Sequence, residues 1–245
     1  MPRYFIEVAY KGTAYSGFQV QQNAVTVQSE VQTALATLHR FPFMLTGSSR
    51  TDAGVHAEQN FFHFDAGEVH PQSVYKLNAI LPHDIVVKSL KQMPDAAHAR
   101  FDAVSRAYEY RICRFKNPFL RELAYHYPFK LDTGVMREAA AFIKEQTHFR
   151  SFSKAHTQVH NFNCAIFNCA WTFEKDRVVF SIEANRFLRG MVRMLTASML
   201  RLGRGQTTFD EYKTYFTEGR QCLFSAPAHG LFLKNVRYPA QYFSN

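Results

Sequence analysis

Gly47-Ser48-Ser49-Arg50-Thr51-Asp52-Ala53-Gly54-Val55-His56-Ala57 is the most unusual stretch of the 245-residue chain. Small residues fill it almost entirely, interrupted by one Arg, one Asp and one His. Strand-like segments flank it, at 41–46 before the loop and at 59–65, rich in Phe, after it. Small side chains let a backbone come close to another molecule, and Gly47 and Gly54 open backbone angles closed to other residues. Two readings of Asp52 follow. It can cap the amides of a tight turn, with Arg50 as its ion-pair partner. Alternatively, the guanidinium two residues away keeps it ionised in a water-poor setting, where a partly desolvated carboxylate serves as nucleophile or base.

Upstream, a strand is expected at 3–9, a turn at Tyr10-Lys11-Gly12-Thr13 and a helix at 26–39 with Thr26 as N-cap. Downstream, the Phe-rich strand leads to a helix around 71–78, and Leu81-Pro82-His83-Asp84 breaks the chain before a strand at 85–90. A second half opens with a strand at 107–115, followed by a helix at 133–145 and strands at 163–174 and 178–184. A long helix at 185–202, a shorter one at 208–217 and a strand at 231–236 complete it. Both halves begin with an aromatic strand and then supply helices to cover a sheet. The pattern predicts an α+β chain of two related modules, 1–104 and 105–245, with a cleft between them.

Hydrophobic residues make up 47% and charged residues 20%, a globular balance that argues against disorder. The net charge of +9 is the footprint of a polyanion binder, because each Lys or Arg set against a phosphate releases condensed counterions. On charge alone, a basic protein without an acidic partner fits as well. Cys113, Cys164, Cys169 and Cys222 form no C-x-x-C pair, and no His spacing completes a zinc site. They read as buried, reduced thiols. Met1-Pro2-Arg3 leads straight into a strand pattern, and no apolar run reaches the roughly 18 residues of a membrane span. A cytoplasmic setting is expected.

Placed on the expected long helix, Arg186, Arg189, Arg193, Arg201 and Arg204 fall within an arc of about 120°. Phe187, Leu188, Met191, Met194, Leu195 and Leu202 lie opposite. Gly190 and Ala197 share the arginine side, and no acid stands between Asn185 and Arg204. Such a face suits contact with RNA better than plain solvent.

Arg50-Thr51-Asp52-Ala53-Gly54-Val55-His56-Ala57 resembles the R-T-D-A-G-V-H-A signature of the TruA-type tRNA pseudouridine synthases. Tyr15-Ser16-Gly17-Phe18-Gln19-Val20-Gln21 is similar to that family's Y-x-G-W-Q-x-Q, and Asn78-Ala79-Ile80-Leu81-Pro82-His83-Asp84-Ile85 to N-x-x-L-P-x-D-I. His98-Ala99-Arg100-Phe101 with Arg106-Ala107-Tyr108-Glu109-Tyr110 resembles H-A-R-F…R-x-Y-x-Y. Ser151-Phe152, Asn185-Arg186-Phe187-Leu188 and Met191-Val192-Arg193 follow in family order, so the resemblance covers nearly the whole chain.

The resemblance implies the pseudouridine synthase fold, its modules joined through a largely antiparallel sheet with helices on one side. It implies tRNA as partner, uridines 38, 39 and 40 of the anticodon stem-loop as targets, and a homodimer. Pseudouridine formation breaks the bond between uracil N1 and ribose C1′, turns the base and rejoins it through C5. No atoms enter or leave, so neither cofactor nor metal is expected. Asp52 is implied as the nucleophile, adding to C1′ or to the base. Arg50 holds and polarises it, or fills the space that the flipped base leaves. Arg193 is the second charge beside it. Tyr108 packs against the base, with Tyr110 as the fallback, since residues two apart on a strand share a face. A stacking aromatic returns roughly 1–3 kcal/mol towards the cost of unstacking the target. Further substrate contacts are expected from Phe18, Gln19, Arg186, Arg189 and Arg201. Module 1–104 thus carries the Asp loop, and 105–245 the stacking Tyr and the Arg-rich helix. His56, His98 and His160 receive no catalytic role.

The chain departs from the family pattern at Phe18 for Trp, Val20 often for Arg, Ser49 for Gly and Ala197 for Gly. Val20 removes a positive charge. Ser49 carries a strain of roughly 1–3 kcal/mol if its position requires a positive φ. These departures keep open a synthase with a different RNA target. A non-catalytic tRNA-binding protein is the alternative of another class, opposed by the presence of Arg50, Asp52, Tyr108 and Arg193.

Overall fold

In the computed structural model, which describes residues 1–67, 69, 72–154 and 160–243, nine strands and five α-helices give an α+β fold. The chain divides into two compact units. One is Met1–Val104 with a second segment that begins at Leu233, and the other is Ser105–Phe232.

The first unit contains β1 (Arg3–Tyr10), α1 (Val27–His39), β2 (Thr46–Gly47), β3 (His56–Asp65), α2 (Ser73–Ile80) and β4 (Ile85–Met93). β1 pairs antiparallel with both β3 and β4, and β2 adds a short rung to β3. α1 is capped by Thr26, whose side chain accepts from Ser29 N while Ser29 reaches back. Its buried Val27, Val31, Ala34 and Leu35 recur at helical spacing. The strand expected at 41–46 shrinks to Thr46–Gly47. Its upstream carbonyls are taken by α1 instead: Gln28 Nε2 donates to Leu45 O at 2.8 Å and Gln32 Nε2 to Phe43 O at 2.7 Å. The expected helix around 71–78 is α2, two residues later, and Pro71 lies outside the described residues. Asn78 fastens α2 to β4 by donating to Val87 O and accepting from Val87 N, both at 2.8 Å.

The second unit contains β5 (Ser105–Cys113), β6 (Tyr125–His126), α3 (Thr133–Glu145), β7 (Ile166–Phe173), β8 (Arg177–Ala184), α4 (Met191–Gly203) and α5 (Phe209–Thr217). β8 pairs antiparallel with β5 and β7, and β6 runs parallel on β5. Asp132 caps α3 by accepting from Gly134 N and Val135 N. The helix expected at 185–202 begins only at Met191, because Gly190, with φ 78°, is its N-cap. The preceding residues spend their hydrogen bonds elsewhere. Asn185 N donates to Ala165 O at 3.1 Å, Asn185 Oδ1 accepts from Ala165 N at 2.9 Å, and Arg189 O accepts from Lys154 N at 3.1 Å. Arg186 and Arg189 therefore sit in a loop, and the helical projection that grouped them with Arg193 and Arg201 does not hold for them.

The last strand, β9 (Leu231–Arg237), crosses the boundary. The second module was expected to run to residue 245, yet the chain from Leu233 belongs to the first unit. Burial of rings explains this. Tyr238 and Tyr242 pack on Phe5 with centroids 5.4 and 6.2 Å away, and Tyr238 OH donates to Ala99 O at 2.5 Å.

Candidate active site

The Gly47–Ala57 loop is fixed from behind, residue by residue. Ser48 N donates to Phe61 O at 2.8 Å. Asn60, fully buried on β3, donates through Nδ2 to Ser49 O at 2.9 Å and to Tyr10 OH at 3.2 Å. The Tyr10 hydroxyl in turn lies 2.8 Å from Thr51 Oγ1. Thr51 O accepts from Phe18 N at 3.1 Å, Asp52 O from Val55 N at 3.2 Å, and buried His56 Nδ1 from Gly12 N at 3.0 Å. Two glycines permit this closeness. A Cβ on Gly12 would stand 2.0 Å from Val55 O, and Gly17, at φ 102°, would place one 3.1 Å from Thr51 O. The outcome is an exposed Arg50 and a half-buried Asp52 on a backbone held by buried partners. Among the described non-glycine residues only Asn23 and Arg40 have positive φ, so Ser49 carries no such strain.

Other motif residues brace this loop. Tyr15 OH donates to the Asp84 carboxylate, and Asp84 O accepts from Lys11 N at 2.9 Å. Phe18, expected to touch substrate, is buried. Its ring stacks on Phe62 at 4.4 Å and 8°, and Gly47 packs against its edge. It supports the loop and offers no open face to a base. Gln19 is exposed and lines a cavity of about 210 Å³ with Arg50, His98, Arg100 and Phe101. Arg100 and Phe101 belong to the His98-Ala99-Arg100-Phe101 motif, which by itself assigns them no role. The available signal was an aromatic next to an Arg in a turn, and exposure is what distinguishes it.

In the second unit Tyr108 and Tyr110 lie opposite Ile182 and Phe180 of β8. They differ in surroundings. Tyr108 is half-buried with its ring edge-on to Phe187 at 5.1 Å. Tyr110 has no exposure, donates its hydroxyl to Pro227 O at 2.8 Å and has Gly230 against its ring. Burial raises its phenol far above the usual value. Contrary to the expected substrate contact, the fully packed Tyr110 ring has no face open to a base.

Arg193, half-buried on α4, donates through Nε to Ala226 O at 2.7 Å while its own carbonyl accepts from Ala226 N at 3.0 Å. Next on the helix, Arg201 lays its guanidinium 3.9 Å from the Phe224 ring, and Arg204 lies 3.8 Å from Phe129. Ala197 and these two arginines line a groove of about 460 Å³. Arg186 is half-buried and Arg189 exposed in the loop before Gly190.

Comparison with known proteins gives this geometry a context. A family model described as tRNA pseudouridine synthase matches residues 6–102 and 146–239. The chain is 44% identical over 248 aligned residues to a Parabacteroides distasonis protein named tRNA pseudouridine synthase A, covering 99% of this chain and 98% of the relative. It is 42% identical to the Bacteroides fragilis protein of the same name, covering 98% of each. With the Bacillus subtilis protein, again of that name, identity is 39% over 94% of this chain and 97% of the relative.

Proposed function

The chain belongs to the tRNA pseudouridine synthase family, and on that premise we propose that it isomerises uridines 38, 39 and 40 in the anticodon stem-loop of tRNA, with Asp52 as nucleophile. The observation that carries this reading is the loop that holds Asp52. A turn needing only a capped backbone would not require Asn60, Tyr10, His56 and two glycines to fix it from behind. A carboxylate carried on a fixed backbone suits a reaction in which a flipped-out nucleoside must meet it in one geometry. Arg50, two residues before it, holds and polarises the carboxylate or takes the place of the extruded base. Tyr108 offers a half-buried ring for stacking on the target, and Arg193 the second positive charge.

The surplus of +9 supports a broad contact with phosphates. We place the protein in the cytoplasm with its tRNA, as a homodimer in which one tRNA touches both subunits. No helix among the described residues is long and apolar enough to cross a membrane. The test is Asp52→Ala in tritium release from C5-labelled uridine in tRNA. Release is expected to vanish while tRNA binding stays within about twofold, as for a group that acts only in the transition state. Retained turnover removes Asp52 from the mechanism. Mapping pseudouridine in cells lacking the protein tests the target, and loss elsewhere with 38–40 intact transfers the reading to another RNA.

A further inference from the structure

We propose that Arg100 and Phe101 form a second nucleotide subsite beside the Asp52 loop: Phe101 stacks on an unpaired base next to the target, while Arg100 and Arg50 hold the phosphates of that strand. The inference rests on the RNA-modifying reading above and adds to it the residues that grip the strand beside the reacting nucleotide.

Single exposed apolar residues are common and carry no meaning alone. Phe101 is different in its setting. It is 73% exposed, and it lines the same cavity as two exposed arginines, one of which, Arg50, belongs to the Asp52 loop. No acidic side chain lines that cavity among the described residues. At about 210 Å³ it suits one base or phosphate and not a folded domain. An aromatic face with guanidinium groups around it is the composition that single-stranded nucleic acid selects, because stacking and phosphate contact are both needed.

The turn that presents the pair is over-determined. His98 Nδ1 accepts from both Arg100 N and Phe101 N, at 3.1 and 3.2 Å, and His63 Nδ1 accepts from Ala99 N at 3.1 Å. Asp102, the one acid of the turn, accepts from His98 N at 2.6 Å and Tyr242 OH at 2.7 Å, so its carboxylate is engaged by the turn backbone and by the C-terminal segment. Arg3 Nη1 donates to Ala97 O at 2.8 Å. The His98 ring lies 4.2 Å from that of Phe101 and 4.5 Å from that of His63. A hydrophobic side chain held out into solvent on so rigid a mount has paid its ordering cost before any ligand arrives.

The experiment uses anticodon stem-loop RNAs carrying one abasic nucleotide at each position flanking the target, titrated by fluorescence anisotropy. For the wild-type protein one flanking abasic site is expected to weaken binding roughly 5- to 100-fold. Phe101→Ala should bind intact RNA weaker by a similar factor and be indifferent to that abasic site, and Phe101→Trp should restore both properties. Arg100→Ala should lower the slope of log affinity against log salt by about 0.7. Wild-type binding insensitive to every flanking abasic site, or a Phe101→Ala protein as sensitive as wild type, overturns the subsite. If Phe101→Ala fails to fold, the wild-type abasic scan and Phe101→Trp decide the matter between them. A wild-type protein that releases no tritium from any tRNA overturns the pseudouridine reading instead, so the two failures are distinguishable.

Discussion

The side-chain amide of Asn60 donates to the carbonyl of Ser49 at 2.9 Å from a position with no solvent exposure. Ser49 precedes Arg50, so this bond sets the entry of the loop that holds Asp52. Asn60→Ala leaves a buried carbonyl without its donor and is expected to lower stability by about 1–3 kcal/mol. Turnover at a temperature where the variant stays folded should fall by an additional factor, roughly tenfold for each 1.4 kcal/mol of lost positioning. Denaturant unfolding and single-turnover tritium release measure the two parts. Wild-type turnover in the variant would mean that the loop keeps its geometry without the amide.

The two tyrosines of β5 should separate cleanly. Tyr110→Phe keeps the packed ring and removes only the donor to Pro227 O, costing about 0.5–1.5 kcal/mol of stability with kcat unchanged. Tyr108→Leu should leave the melting temperature nearly unchanged and lower kcat/KM roughly 5- to 100-fold through lost stacking. The reverse pattern would exchange their roles.

Salt titrations distinguish the arginines. Arg189→Ala removes an exposed charge from the loop before Gly190 and should lower the salt slope of tRNA binding by about 0.7–0.9. Arg201→Ala should lower it too, and also cost about 0.5–1 kcal/mol of stability, because its guanidinium lies over Phe224. Unchanged slopes for both would turn these residues away from RNA.

His63 gives stability a defined pH response. Burial, helped by the charge of Arg3 and the neighbouring His98, lowers its pKa from 6.5 to about 4, against the weaker pull of Asp65 and Asp102. Between these values the unfolded chain binds a proton that the folded chain refuses, so stability rises with pH and is lost as pH falls from 6.5 towards 4. The slope for this group cannot exceed about 1.4 kcal/mol per pH unit. His63→Gln, which keeps an acceptor for Ala99 N, should flatten that part of the curve in urea titrations. A slope unaltered by the substitution would assign the response to other groups.

The sequence revealed much of this because several elements carry their own punctuation. Asp132 and the apolar spacing of Met136, Ala139, Ala140 and Ile143 place α3 at 133–145, as read. The start of α4 was hidden, since Phe187, Leu188 and the arginines continue a helical rhythm through a glycine whose left-handed conformation has no sequence mark of its own. The strand at 41–46 looked sound in isolation, and only two glutamines on a helix, distant in sequence, claim its carbonyls. At the site, the Asp52 loop stood out by composition. Membership of a motif did not separate Phe18 and Tyr110, which are packed, from Gln19, which is open. The motif that contains Arg100 and Phe101 does not show which of its side chains face outward; the bracing of the turn by His98 and Asp102 does.

The passage of the chain back into the first unit at Leu233 imposes a schedule on the ribosome. Residues 105–232 are contiguous, so the second unit has all its parts once that span has emerged. Phe5, made near the outset, must wait through that entire interval for Tyr238 and Tyr242. At synthesis rates of about 5–20 residues per second, the wait lasts on the order of ten seconds or more. During it, the nascent unit bearing Asp52 is the unfinished one and leaves aromatic surface uncovered. The older part of the polypeptide is thus the last to receive all its residues.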